Sequence, residues 1–550
     1  MKTHARPLAT SVARLLLAAV MIGGPVLAAT PAGAATTPHG PAAVPVAGTG
    51  KATAHSTTVS AALRTASISP QATDVGALGR DGTPAGSALP TATRVTARPA
   101  PHDPATRPGG PNTGTSSAAT PASTTSPSTA LSPQSDPQGV AEGGSGCVNC
   151  STPDATGAVS ATEIAETANL QLQVFTKSSG ATLCNVSLPS LLGATTAIRG
   201  PHIQYDNAAN RFSIVIDSVP GSSADAPIQY LATSQTSDAC GAWWIYSIIF
   251  SGTGYPLGAL LDFPYLGQDS TSLLSSTNNF SFTGTYVGST AYAMPKAIAY
   301  TGAAFTFNTF SVAFATAPVT VGGIPTASTT NTYWVAAAPG TGYDLYVMPT
   351  NPAGSISLQA TINDPFRAPT RRVHQPGTTQ TLDPSDGRIG SAAVQTGHIV
   401  WFAHSVDDNG FPTVRYGGID VTTNQDQTAL AFHSTGSDDF NPSIGVFPVS
   451  SSTDNIWVNW AYTDSSAGVA TSAAVAGVPA GGGVPDLAGQ DLTLVTGSIT
   501  TTHSGFGRYS SVAIDPASTS SCPAGFTALT AQQFFTSGQW STDLARTTFC

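Results

Sequence analysis

The sequence predicts an all-β chain, a β-propeller of four-stranded antiparallel sheets, with seven blades by one closure of the ring and six by another. Three observations lead there. A short word recurs at a near-constant interval, each interval holds the same order of short strands, and the composition favours turns over solvated helices. Only 9% of the 550 residues are charged, beside 55 Gly and 42 Pro.

The words are GPHIQYD at Gly200, FPYLGQD at Phe263, GIPTAST at Gly323, DGRIGSA at Asp386, NPSIGVF at Asn441 and FGRYSSV at Phe506. The residues after the Pro or Gly are His202, Tyr265, Thr326, Arg388, Ser443 and Arg508, separated by 63, 61, 62, 55 and 65 positions. So steady a period marks a repeat architecture. The stretch from Asp386 to Val421 shows the unit: β-branched and aromatic runs broken at Thr396-Gly397 and at Asp407-Asp408-Asn409-Gly410, the form of a meander.

After each first strand an apolar second follows, at Phe212–Asp217, Tyr333–Ala338, Ile399–Ala403, Ile456–Tyr462 and Phe526–Phe535. Third strands are read at Ile228–Thr233, Ala293–Tyr300, Asp344–Met348 and Val414–Val421. Fourth strands are read at Trp243–Phe250, Phe305–Phe314, Ile356–Ile362 and Leu492–Ile499. Four strands per period match a propeller blade. A further start near Gly157 gives the seventh; alternatively those N-terminal strands complete the short last blade of a six-bladed ring. Either closure removes an exposed edge.

Residues 1–34 read as a secretory signal: Lys2, Arg6 and Arg14 precede an apolar run from Leu15 to Ile22 and the small-residue site Ala32-Gly33-Ala34. Residues 35–146, rich in Ala, Pro, Ser and Thr, read as a disordered tail too poor in apolar surface to offset its ordering entropy. The propeller is assigned to 147–550, which carries a formal charge of −14. That charge argues against nucleic acid and anionic membrane as partners. No later stretch is long enough to span a membrane. A monomer is expected.

All six cysteines, Cys147, Cys150, Cys184, Cys240, Cys522 and Cys550, fall in this exported part and imply up to three disulfides. Proximity favours Cys522 with Cys550 and Cys184 with Cys240, leaving Cys147 with Cys150, among fifteen connectivities. Zinc at Cys147-Val-Asn-Cys150 lacks a second ligand pair of matching spacing.

The words PDATGAV at Pro153, PHIQYDNAANRFSIVI at Pro201, FPYLGQD at Phe263 and GRYSSVAIDP at Gly507 resemble those of secreted bacterial propeller proteins of unassigned activity, over roughly Pro153 to Cys550. The resemblance implies a fold and no chemistry. Ser160-Ala161 departs from the usual Gly-Pro, and Cys522-Pro523 interrupts the last blade.

First strands line a propeller's axis, so the six residues of the repeated position are expected to meet at one mouth. Arg388 and Arg508 there, with His202 and Tyr265, suggest a ligand seat for a carboxylate or other anion; the competing reading pairs the arginines with neighbouring aspartates. Ser405 to Thr413 resembles the sialidase Asp-box with two residues inserted and its Trp absent, and Arg388 and Arg508 could serve a sialidase arginine triad. No Glu follows Glu166 to partner a Tyr nucleophile. Asp206, Asp269, Asp386, Asp439 and Asp515 lie at or beyond blade starts and are the candidates for a glycosidase or lyase carboxylate pair, or simple turn caps. No cofactor is required; Asp407 and Asn409 offer hard oxygens for calcium but lack further spaced carboxylates. The apolar neighbours of the tryptophans favour packing between sheets, with Trp243 and Trp460, which flank strand ends, as the exceptions where a rim could stack sugars. The reading is a secreted binding module for glycan or protein, with a polysaccharide hydrolase or lyase using axial Asp residues as the alternative.

Overall fold

Three of the recurring words mark places where the backbone leaves ordinary β geometry. In Gly200-Pro201, Phe263-Pro264 and Asn441-Pro442 the first residue has φ of +66°, +60° and +51°. The strand register shifts at the same points, between Arg199 and His202, Asp262 and Tyr265, and Phe440 and Ser443. A left-handed residue followed by proline is a bulge that bends the strand and gives up a ladder donor. The word is thus a kink that aims each lead residue.

The computed structural model describes residues 62–67, 131–133, 137–142, 152–250, 255, 257–322, 330–350, 354–498, 508–517, 522–536 and 539–550. The chain is a β-propeller. Its strand pairing resolves into sheets of four antiparallel strands taken in chain order. Blade 1 is Thr156–Val159, Glu163–Ala168, Gln171–Thr176 and Thr182–Ser187; blade 2 is Ala197–Asp206, Arg211–Val219, Ile228–Ser234 and Ala242–Ile249. Blade 3 is Leu260–Gln268, Ser272–Phe280, Tyr286–Pro295 and Thr309–Val312; blade 4 is Ala317–Val321, Asn331–Ala338, Gly342–Pro349 and Ser357–Asn363. Blade 5 is Ala393–Thr396, Ile399–Asp408, Phe411–Asp420 and Gln425–Phe432; blade 6 is Asp438–Pro448, Asp454–Asp464, Val469–Val478 and Leu492–Gly497. Blade 7 is Ser511–Ile514, Thr527–Thr536 and Gln539–Thr548, completed by Gln138–Ala141 from the N-terminal side. The first strands touch in a closed cycle from blade 1 to blade 7 and back.

Apolar cores fill the junctions between neighbouring blades, one of them running through blades 3, 4 and 5. Ile198, Phe212 and Trp243 meet Leu172 and Val174 between blades 1 and 2, and Trp460 and Val458 meet Tyr416 between blades 5 and 6. Blades 6 and 7 share Trp457 and Phe534, and Val159, Leu529 and Leu544 join blade 7 to blade 1. Sheet-on-sheet packing of alternating inward residues is what a half-buried meander needs.

Several expected positions shift. Blade 4 starts at Ala317, ahead of the word GIPTAST, whose Thr326 lies outside the described residues. Blade 5 starts at Ala393, so Arg388 stands on the long 364–392 connection, where Ile389 makes one isolated bridge to His404. A short hairpin in that connection, Val373–His374 with Thr381–Leu382, crosses the upper face and packs Val373 and Leu382 with Ala155, Phe440 and Trp540 of blades 1, 6 and 7. The folded part begins before residue 147: Leu131 joins the core between blades 6 and 7, and Ser132–Pro133 and Gln138–Ala141 pair with the last strand. Ala62–Ser67 pairs with the outer strand of blade 2. Few apolar residues in a polar tail suffice for these contacts, which composition averages away. The proposed signal peptide, Cys147 and Cys150 lie outside the described residues.

Cys184–Cys240 and Cys522–Cys550 are disulfide-bonded, as proximity suggested. The first ties the outer strand of blade 1 to the loop before the outer strand of blade 2. Among the described residues no helix is long and apolar enough to cross a membrane.

Candidate functional site

Four of the six lead residues gather around Phe263. The kink at Phe263-Pro264 sets this ring, buried in the cluster shared by blades 3, 4 and 5, toward the upper face, where the first strands begin. The Arg388 guanidinium lies 3.9 Å from its centroid and that of Arg508 lies 5.2 Å away. Tyr509 meets the ring edge-on at 5.6 Å, and His202 meets Tyr509 edge-on at 4.4 Å. Tyr265 stands 6.1 Å from His202 and donates its hydroxyl to the Ile389 carbonyl at 2.6 Å. His202, Tyr265, Arg388 and Arg508, drawn from blades 2, 3 and 7 and from the 364–392 connection, therefore share one centre. Gly200 leaves room for it: a Cβ there would stand 3.1 Å from Pro264 and 3.3 Å from the Tyr509 hydroxyl.

Electrostatically this centre is balanced. Arg388 makes a two-point ion pair with Asp386, Arg199 pairs with Asp262 at 3.3 Å, and Asp154 accepts the Arg508 backbone N–H at 2.9 Å. Burial pushes the His202 imidazole down to about 3, so it stays neutral in the physiological range. Its Nε2 has no hydrogen-bond partner among the described residues. Burial also raises the Tyr265 and Tyr509 hydroxyls well above the ordinary phenol. Three guanidiniums facing three carboxylates make no net anion seat.

Ser443 lies on the first strand of blade 6, where Asn459 donates to its hydroxyl at 3.1 Å. The aspartates do not form a pair facing an open cleft. Asp206 takes the Lys296 ammonium at 2.7 Å, the Tyr300 hydroxyl at 3.0 Å and two turn N–H groups. Asp269 caps its turn through the N–H groups of Thr271 and Ser272 and accepts the Thr332 hydroxyl at 2.7 Å. Asp515 pairs with Lys177 at 2.9 Å. These three close the far ends of first strands, four to seven residues beyond His202, Tyr265 and Arg508, or about 13–23 Å along the strand at an extended rise of ~3.3 Å per residue. Asp439, on the upper side, accepts from Trp460 Nε1, His433 N and Ser437 Oγ at 2.9, 2.9 and 2.6 Å.

Along the axis a cavity of about 100 Å³ runs between the first strands of all seven blades, with Thr156, Gln204, Gln268, Thr320, Ile444 and Ser511 on its walls. Its walls carry no Asp, Glu, Lys or Arg but do include the neutral His202, and its size falls below the range of several hundred Å³ usual for small-molecule sites. Asp407 and Asn409 sit in a hairpin turn: Asp407 accepts the Gly410 N–H at 3.0 Å and the Thr370 hydroxyl at 2.8 Å.

The tryptophans expected at a rim are in the core. Trp243 donates to the Ala239 carbonyl at 3.0 Å and Trp460 to Asp439, both fully buried by the next blade. The aromatic rings that do reach the surface were not singled out in sequence. Beside the mouth, the hairpin joining the second and third strands of blade 3 carries Phe280, Phe282 and Tyr286, with Phe314 against it. Phe282 at the tip is 50% exposed. The signal was the word NNFSFTGTYVG, aromatic residues alternating with Ser, Thr and Gly across a turn.

No protein-family model matches the chain, and no curated protein matches it in sequence. Among solved structures it is similar to the Synechocystis apocarotenoid oxygenase at TM-score 0.34 and 8% identity, over 60% of this chain and 72% of that one. A subtype N10 neuraminidase-like protein of A/little yellow-shouldered bat/Guatemala/060/2010 gives TM-score 0.34 and 8% identity, over 62% and 97%. The exo-beta-1,3-galactanase of Phanerochaete chrysosporium gives 0.28 and 11%, over 58% and 80%. At these scores they lend the chain neither activity nor ligand.

Proposed function

We propose that the chain is a secreted propeller that binds an extracellular glycan through the upper face. One observation carries this: the residues gathered at the mouth are cations laid against aromatic rings and tied to carboxylates. The aspartates available for hydrolysis cap turns or hold ion pairs elsewhere. A glycoside hydrolase needs two carboxyl groups about 5–10 Å apart across a cleft, one of them free to give a proton. Asp206 and Asp269 are already saturated by turn donors and by Lys296 or Thr332. Secretion rests on the two disulfides, which persist in oxidising compartments, and on the signal-like N-terminus.

The test is a polysaccharide panel incubated with the secreted full chain, read both as retention and as release of reducing ends. Retention without release supports a binding module. Release that disappears in Asp206→Asn or Asp269→Asn overturns it in favour of the hydrolase.

A further inference from the structure

The blade 3 hairpin exposes apolar side chains beside the mouth. Phe282 is 50% exposed and the adjoining Val287 45%, beside the half-buried rings of Phe280, Tyr286 and Phe314. Phe280 and Tyr286 meet edge-to-face at 5.7 Å, and Tyr286 and Phe314 at 5.1 Å, so the cluster is braced and not loose. The hairpin is also uncharged: from Ser270 to Pro295 the sequence contains no Asp, Glu, Lys, Arg or His.

The turn that presents Phe282 is held by its own small side chains. Ser281 N donates to the Thr285 carbonyl at 2.7 Å, Gly284 N to the Ser281 carbonyl at 2.8 Å, and Thr285 N to Ser281 Oγ at 3.1 Å. Gly284 supplies the left-handed φ of +85° that closes it. Toward the axis the cluster continues into the mouth, because the Arg388 guanidinium lies 5.1 Å from the Phe314 centroid as well as 3.9 Å from Phe263. Its partner Asp386 is 49% exposed and offers carboxylate lone pairs to a hydroxylated ligand at the edge of the rings.

We propose that Phe282, Tyr286 and Phe314 form a stacking platform for an uncharged glycan chain, with the Asp386–Arg388 pair binding its hydroxyls; this rests on the glycan reading given above. Sugar rings present C–H faces that pack on aromatic faces and hydroxyls that a carboxylate–guanidinium pair can receive and donate to. The uncharged hairpin matches a neutral chain: Arg388, the cation 5.1 Å from Phe314, is already paired with Asp386, and Arg508 lies against Phe263. Exposed rings of this kind cost solubility unless something covers them.

The experiment is titration calorimetry of the full secreted chain with neutral and uronate-containing polysaccharides, comparing wild type with Phe282→Ala, Phe282→Trp and Asp386→Asn. The platform predicts at least tenfold weaker binding of a neutral glycan in Phe282→Ala, retention in Phe282→Trp, and an unchanged melting temperature in both. Wild-type binding that Phe282→Ala leaves intact overturns the platform while the glycan reading stands. Binding confined to uronate polymers overturns the neutral ligand, and binding to none of the panel overturns platform and reading together. A dimer in sedimentation that Phe282→Ala dissolves assigns the rings to a second copy of the chain and also overturns the proposal.

Discussion

The ring closure and the blade 3 hairpin break the ordinary inside–outside rule in opposite directions. At the closure, Glu166 of blade 1 is fully buried and accepts the Val140 N–H of the closing strand at 2.9 Å. Burial lifts its carboxyl to about 7, and the charge that acts on it, Asp543, is another acid. At the hairpin, rings that could have been buried face solvent. A buried carboxyl without a cation is tolerated because it can take up a proton. The half-exposed Phe282 ring has no such titratable escape, and the proposed platform is what would cover it, where the closure responds to pH.

The largest expected effect sharpens the first half of that contrast. Burial raises Asp217 to about 7 against its bonds from Gln229 and Thr277, and burial with the neighbouring Asp364 raises Asp426 to about 7. All three folded values lie above the unfolded ones of about 4. The folded state therefore holds more protons between about pH 4 and 7, and stability falls as pH rises through that window before levelling off. The lowered carboxyls of Asp386, Asp420 and Asp464 act oppositely and lose their contribution only as pH drops below about 4. Burial also pushes the His202 and His404 imidazoles down to about 3, so the stability each contributes is lost as pH falls below about 6.5, which offsets part of the acids' slope. Urea unfolding is expected to show a maximum near pH 4–5 and a net loss of roughly 4 kcal/mol by pH 8. A profile that rises from pH 5 to 8 would contradict the buried-acid account.

Next in size is Gly139→Val. A Cβ at 139 would come within 2.3 Å of both Glu166 Oε2 and Thr542 Oγ1. The closing strand must shift or detach, for a loss of about 3 kcal/mol, read as a lower urea midpoint at pH 5. An unchanged midpoint would mean that the strand does not hold the ring.

Much of this architecture was legible because a propeller repeats itself. The Xaa-Pro words in blades 2, 3 and 6 are bulges, and bulges have strict residue needs, so GPHIQYD, FPYLGQD and NPSIGVF fell into register. Blade 4 was misplaced because its five-residue first strand, Ala317–Val321, has no aromatic residue to mark it, whereas Gly323-Ile324-Pro325 imitates the word. The segment DGRIGSA alternates like a strand yet is a connector, since alternation tests extension and not pairing. Arg388 still reaches the mouth, carried there by that connector. The tryptophans as a group read as packing between sheets, as they do; Trp243 and Trp460 were set apart as rim exceptions from their position along the strand, but burial is decided by the neighbouring blade, at a distance that local pattern does not encode. The aromatic hairpin was missed for a related reason: Phe280, Phe282 and Tyr286 read as ordinary strand residues until the turn between them is located.

Smaller effects separate the two regions residue by residue. Glu166→Gln keeps an acceptor for Val140 and mimics the protonated acid, so it is expected to raise stability at pH 8 by about 1–2 kcal/mol, leave pH 5 nearly unchanged, and flatten the pH profile by its own share. If the variant is instead weaker at both values, Glu166 is charged in the folded protein and its partner has been overlooked.

The smallest expected change in stability belongs to the other region. Phe282 contributes half its surface to solvent and braces no blade junction, so Phe282→Ala should move the unfolding free energy by no more than about 0.5 kcal/mol. Tyr286→Ala removes an edge-to-face partner of both Phe280 and Phe314 and its hydroxyl contact with Ser289, and is expected to lose about 1 kcal/mol more. Paired urea titrations of the two variants measure the difference directly. Equal losses of 2 kcal/mol or more would make the hairpin a piece of the core like the closure, and its exposed ring would then need no ligand to explain it.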